Sequence, residues 1–290
     1  MTLRPSTATG RLARHVIAAS VVLLACSCTD VTAVQHFAEE SQKVGDQFQP
    51  LADDGFNSCQ RATTFLLPGN PAPDCNFFPA IEPSLLAINH TLFAYIASLG
   101  KLASVNTGNT ASSLQNLGSD LKRADPGISE ANLGKANASL GLAGALVNVL
   151  ASGYQQHKLA EIIGRANDPV QQVTSFMDEY AAFRYAQQFK DEQSREKAYC
   201  AQYTDQSVPE VAKEPIAVGL LSRACKADFK QQADRLVAVQ KYQEALRTIA
   251  GAHQKLYDDR NRWNTKQLAT DLLPATKELS DAADAMNKAF

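Results

Sequence analysis

Apolar residues recur along this chain at alternating steps of three and four. Val34, Phe37, Ser41, Val44, Phe48 and Leu51 form one such run. Leu85, Ile88, Leu92, Tyr95, Leu99 and Leu102 form a second, and Leu133, Ala136, Leu140, Ala143, Val147, Leu150 and Tyr154 a third. Val239, Tyr242, Leu246, Ile249, His253 and Leu256 form a fourth. Residues at this spacing lie on one side of a helix and make the narrow seam of a coiled coil or bundle. No run of comparable length alternates as a half-buried strand does. The pattern predicts an all-α protein, an elongated antiparallel bundle with coiled-coil-like seams.

Helix punctuation divides the pattern. A first helix is expected from Asp30, kinking or restarting near Pro50, and continuing toward Leu66. Residues 67–83 hold five prolines and read as a loop without regular helix. Ser84 then caps a helix to about Val105. Asn106 to Asn109 turns the chain into a short helix, Thr110 to Ala124. Asp125-Pro126-Gly127 breaks that helix, and the next runs from Ser129 to Ala166. Asp168-Pro169 reads as an N-cap followed by a first-turn proline, starting a helix to Tyr203. In that helix Phe176, Tyr180 and Phe183 keep the seam spacing, and Arg184 with Tyr185 reads as an exposed patch. Residues 207–215 form a turn and a possible sub-boundary. A long helix follows from Glu214 toward Asn261, then a last one from Thr265 to Lys288, disturbed by Pro274.

The first 25 residues stand apart. Arg4, Arg11 and Arg14 precede a short apolar stretch, His15 to Ala25, with no acidic residue before Cys26. This is the secretory pattern, and the stretch is short for a membrane span. Leu23-Leu24-Ala25-Cys26 resembles the lipobox of bacterial lipoproteins, although Leu24 is larger than that position usually carries. The resemblance implies an acylated Cys26 as the mature N-terminus. Ser27, rather than Asp, then implies an outer-membrane lipoprotein facing the periplasm. Cys28 offers a second such position, and a plain signal peptide is the alternative. Residues 26–290 would be the periplasmic bundle domain. The resemblance covers about a tenth of the chain and says nothing of its fold.

Cysteine usage agrees with an oxidising compartment. Beyond Cys26 and Cys28, Cys59, Cys75, Cys200 and Cys225 allow three pairings. Cys200 and Cys225 lie at nearly equal distances from the 207–215 turn, so facing helices of a hairpin would bring them together. Cys59–Cys75 would close the proline-rich loop onto the helix before it.

Charge narrows the function. Three of the 28 basic residues, and none of the 30 acidic ones, precede Cys26, which leaves the remainder at −5. No basic stripe of the kind nucleic acid demands is present. There is no zincin, nucleophile-elbow or Walker motif, no Glu-x-x-His pair, and no metal-ligand spacing of Cys or His. The reading is of a protein without enzymatic activity, cofactor or metal. It would be a membrane-tethered interaction protein (adaptor, scaffold or inhibitor) with an envelope protein as partner. Pro71, Pro73, Phe77 and Phe78 are the candidate contact residues. A second reading comes from two stretches without charge, Pro83 to Gly100 and Ala136 to His157. Leu92, Leu140, Leu146 and Leu150 there would hold a lipid or other apolar ligand, or enter a membrane.

Overall fold

The computed structural model describes residues 29–103, 157–261 and 265–290. Among them all regular structure is helical: α1 (Thr29–Asp46), α2 (Phe48–Thr64), α3 (Phe77–Ala103), α4 (His157–Tyr180), a π turn (Ala181–Tyr185), α5 (Ala186–Thr204), α6 (Pro209–Ala212), α7 (Pro215–Asp259) and α8 (Thr265–Ala289). The leader, the third seam, Cys26, Leu140, Leu146 and Leu150 lie outside the described residues.

The first seam is buried at every position, as is the fourth, and the second from Leu85 to Leu99. Gln47 separates α1 from α2 because Pro50, in the first turn of α2, has no N–H to give the Asp46 carbonyl.

Two expected boundaries are absent. Helix α3 begins at Phe77 instead of Ser84 and carries Pro83 inside it. Pro169 lies inside α4 instead of opening a helix. The cause is the same in both places. Phe78, Ile81, Leu85 and Ile88 are buried at seam spacing across Pro83. Ile163, Ala166, Val170 and Val173 are buried likewise across Pro169. Each proline costs one backbone hydrogen bond, and burying an apolar side chain on either side returns about 1.5–3 kcal/mol apiece.

A third correction falls at the π turn. An uninterrupted α-helix would carry the seam from Tyr180 to Phe183. The wider turn carries it to Tyr185, which is 1% exposed, while Phe183 is 76% exposed. Phe189 then resumes the seam. Tyr185 is therefore a core residue, packed edge-on to Tyr180 and Phe48.

Specific contacts give the helix directions. Gln254, Arg247 and Gln232 of α7 bond to Asn167, Asp178 and Glu196, so α4–π–α5 runs antiparallel to α7 along its length. Thr248 bonds Glu278, so α8 is also antiparallel to α7. Helix α3 runs parallel to α7, through Tyr95–His253 and Tyr242–Asn89. Helix α1 is antiparallel to α3, and α2 runs parallel to α5. Helices α7, α8, α1, α3 and α4 close a five-helix ring. The other end of the bundle is built from α2, α5 and the first half of α7. With 45 residues, α7 is about 65–70 Å long. Among the described residues no helix is long and apolar enough to cross a membrane.

Gly45 sets the approach of α1 to α3. A Cβ there would lie 2.4 Å from Cγ of Phe93, itself buried. Gly45→Ala is expected to lower stability by about 1–3 kcal/mol despite the better helix propensity of alanine. An unchanged thermal midpoint would show that the two helices are not held this close.

Candidate functional site

The end of the bundle remote from the start of α1 carries the unusual chemistry. Here α5 and α7 form a hairpin. Asp205 Oδ1 accepts from the Ser207 N–H at 2.9 Å, and hydrogen bonds from the Ser207 side chain first, and its N–H second, hold the Asp205 carboxyl below its ordinary range. Pro209 opens the single-turn α6, and Pro215 opens α7. Both prolines sit in first turns, where no N–H is needed.

Beyond the end of α2 the hairpin stands as a two-helix arm. Between Pro215 and Gln231 only Val218 and Cys225 are buried. Two helices alone cannot enclose an apolar core, and a covalent bond joins them instead. Cys200–Cys225 ties α5 to α7, with Cα atoms 6.4 Å apart. The second disulfide, Cys59–Cys75, closes the proline-rich loop onto α2. Arg195 Nη1 donates to the Pro71 carbonyl at 3.3 Å and lays that loop along α5.

At the root of the arm the seam becomes charged. Arg61 donates to Glu192 (Nε–Oε1, 2.6 Å) and to Asp54 (Nη1–Oδ1, 2.8 Å). Arg235 pairs with Asp54 at 3.0 Å and approaches Glu192 at 3.8 Å. Two cations and two anions thus join α2, α5 and α7. Burial opposes the charge on Arg61, but its bonds to Glu192 and Asp54 outweigh that and raise its pKa.

One turn further out, Gln232 Nε2 donates to Glu196 Oε2. The Asp228 carboxyl stands beside Glu196, and two carboxyls can hydrogen-bond only when one is protonated. Burial first, and Asp228 second, push the Glu196 carboxyl up to about 7. Glu196 also lies near the sulfurs of Cys200 and Cys225. Those sulfurs are bonded to each other, so the group offers a single carboxylate and no metal centre.

A separate polar chain crosses the five-helix half. Tyr95 Oη donates to His253 Nε2 at 2.7 Å, and His253 Nδ1–H donates to Asn167 Oδ1 at 3.0 Å. The Asn167 amide donates to Gln254 Oε1, which leaves its oxygen as the acceptor and fixes the histidine tautomer. Burial lowers the His253 pKa to about 4 and keeps the ring neutral. This chain is sealed in the core and links three helices.

The candidate contact residues are not equivalent. Pro71 is exposed, Pro73 half-buried, and Phe77 37% exposed beneath the Arg184 guanidinium, 4.5 Å away. Phe78 is buried against Tyr185 and offers nothing to a partner, which corrects its reading as a contact residue. Leu92 is fully buried on the α3 seam. The charged root was not foreseen. Its signal was present, because Cys225, Asp228, Gln232, Arg235 and Val239 keep the seam spacing with polar side chains in it.

The fold and this end together define a disulfide-stapled helical bundle with a projecting two-helix arm. The chain matches no family model, no curated protein and no solved structure.

Two outcomes are expected. Removing the arm staple (Cys200→Ser with Cys225→Ser) should cost about 2–4 kcal/mol. Amide exchange should quicken between residues 200 and 230 while the α1, α3 and α4 core stays protected; equal loss of protection throughout would show that the arm is not a separate unit. The second outcome concerns pH. Glu196 takes up its proton at higher pH in the folded chain, so its contribution is full below about 4.5 and is lost as pH rises through about 7. His253 contributes oppositely, losing stability as pH falls from about 6.5 to 4. Denaturant titrations of wild type and Glu196→Gln isolate the first effect. The stability of wild type relative to the variant should fall from pH 5 to pH 8, and a constant difference would remove the buried-carboxyl account.

Proposed function

We propose that this protein is a membrane-tethered interaction protein of the bacterial envelope, of the adaptor, scaffold or inhibitor type, acting by surface complementarity without bond chemistry. One observation carries the reading: the two ends of the bundle differ. Helix α1 starts at the five-helix end, and Cys26 stands just before it in sequence. The hairpin turn lies at the opposite end, about 65 Å away along α7. Exposed large apolar side chains gather at that far end: Tyr203, Val208, Ile216 and Leu220. An apolar patch rimmed by charge is the usual mark of a contact site.

In this reading the acyl chains on Cys26 supply the anchor, at about 0.8 kcal/mol per buried CH₂. The rigid bundle then holds its arm away from the membrane, toward an envelope protein. No cofactor, metal or nucleic acid takes part.

Cys26→Ala is expected to move the protein from the membrane fraction to the soluble periplasmic fraction, with its thermal midpoint unchanged. Retention of that variant on washed membranes would dismiss the anchor. In-cell crosslinking of the wild type is expected to recover a discrete protein in stoichiometric yield. Recovery of this chain alone would dismiss the interaction role.

A further inference from the structure

Helix α7 has two working faces. Its inner face carries Val218, Cys225, Gln232, Arg235, Val239 and Tyr242 into the bundle. A second strip follows another line, through Ile216, Leu220, Arg223, Ala227, Lys230 and Asp234. These positions step by four and three and fall within about 80° of one another around the axis. Continued toward the C-terminus, the same strip passes through Lys241, Ala245, Thr248 and Ala252. There α8 lies along it, since Thr248 bonds Glu278, and Lys241 and Thr248 share a groove with Glu278 and Asp281.

Phe290, next to α8, packs against Phe189 with ring centroids 6.4 Å apart. Further toward the hairpin turn the strip is exposed. Ile216 is 79% and Leu220 59% exposed, and Arg223, Ala227 and Lys230 are exposed as well. Among the described residues no salt bridge involves Arg223, Lys226 or Lys230. Toward the hairpin turn the same face of α7 therefore continues as an exposed apolar and basic seam.

From this continuity we infer that the strip Ile216–Lys230 docks one acidic amphipathic helix of a partner protein, laid along the line that α8 follows further down. The inference rests on the interaction reading above and gives it a site and a partner chemistry. The steps of four and three suit a helix packed at a shallow angle. Ile216, Leu220 and the small Ala227 supply the apolar contact. Arg223 and Lys230 within the strip, with Lys226 at its edge, call for carboxylates at the flanks of the incoming helix. Its arrival would add a third helix to the arm and cover the apolar surface that two helices leave open.

The test uses the full chain in its native envelope, with a photo-reactive amino acid at Leu220 and, separately, at Pro71 and Lys190. The Leu220 probe should link to a partner peptide with apolar residues at helical spacing and acidic flanks. Combined Arg223→Glu and Lys230→Glu should lower that yield about tenfold, and raised salt should lower it in the wild type. Both substitutions are on exposed positions, and an unchanged melting curve confirms the fold. Lys190 should give no such product. Linkage from Leu220 to a second copy, to lipid, to residues 104–156 or to a partner without acidic flanks would overturn the inference. So would a yield indifferent to the charge reversal. Capture from Pro71 with none from Leu220 would overturn the strip and leave the tethered-interaction reading in place. No discrete partner from either position would end both.

Discussion

The ion pairs of Asp54, Arg61, Glu192 and Arg235 are the joint on which this molecule turns. Below them α7 is one of a ring of five helices with apolar seams. Above them, among the described residues, only α5 packs along it, and a two-helix pair gives little apolar enclosure. A charged cluster of this kind adds little over an apolar core of the same volume. Leaving one member unpaired, however, costs about 3–5 kcal/mol. Sliding α2, α5 or α7 by a turn would strand a buried charge, so the cluster holds the three helices in one register.

That register makes the rest of the arm possible. With α5 and α7 aligned at Glu192 and Arg235, the facing positions one turn out are Glu196 and Gln232, and beyond them Cys200 and Cys225. Along α7 the means of cohesion change in order: apolar packing, then ion pairs, then a buried carboxyl bonded by Gln232, then a disulfide. Each step needs fewer neighbouring helices than the one before. The consequence is an arm with few fully buried side chains, which is what a contact surface requires. In this alignment the outer strip of α7 from Ile216 to Lys230 is exposed.

Much of the architecture was legible because seam spacing is a local property. Each run of three-four steps names the buried side of its helix, and the runs around Phe37, Ile88 and Leu246 were read correctly from spacing alone. The disulfide pairs were equally legible: a hairpin places Cys200 and Cys225, equidistant from its turn, opposite one another, and Cys59–Cys75 closes the proline-rich loop onto the helix before it. The errors arose where a local rule met a tertiary demand. Pro83 and Pro169 are local stop signals, overridden because the seams on both sides of each are buried. Phe183 and Tyr185 exchanged roles because one wide turn rotates every residue after it. Phe78 reads as a candidate contact residue, and packing against Tyr185 buries it.

By itself, then, the sequence determined the helical class, the inner face of each described seam, the hairpin and its staple. These follow from period, punctuation and symmetry about a turn, all of which act over a few residues. Tertiary structure alone decided which charged residues meet at Asp54 and Glu192, and which face of α7 stays exposed. Spacing can say that a helix has a second apolar strip. Only the lengths and directions of the neighbouring helices decide whether that strip is covered, because cover is supplied by residues distant in the chain.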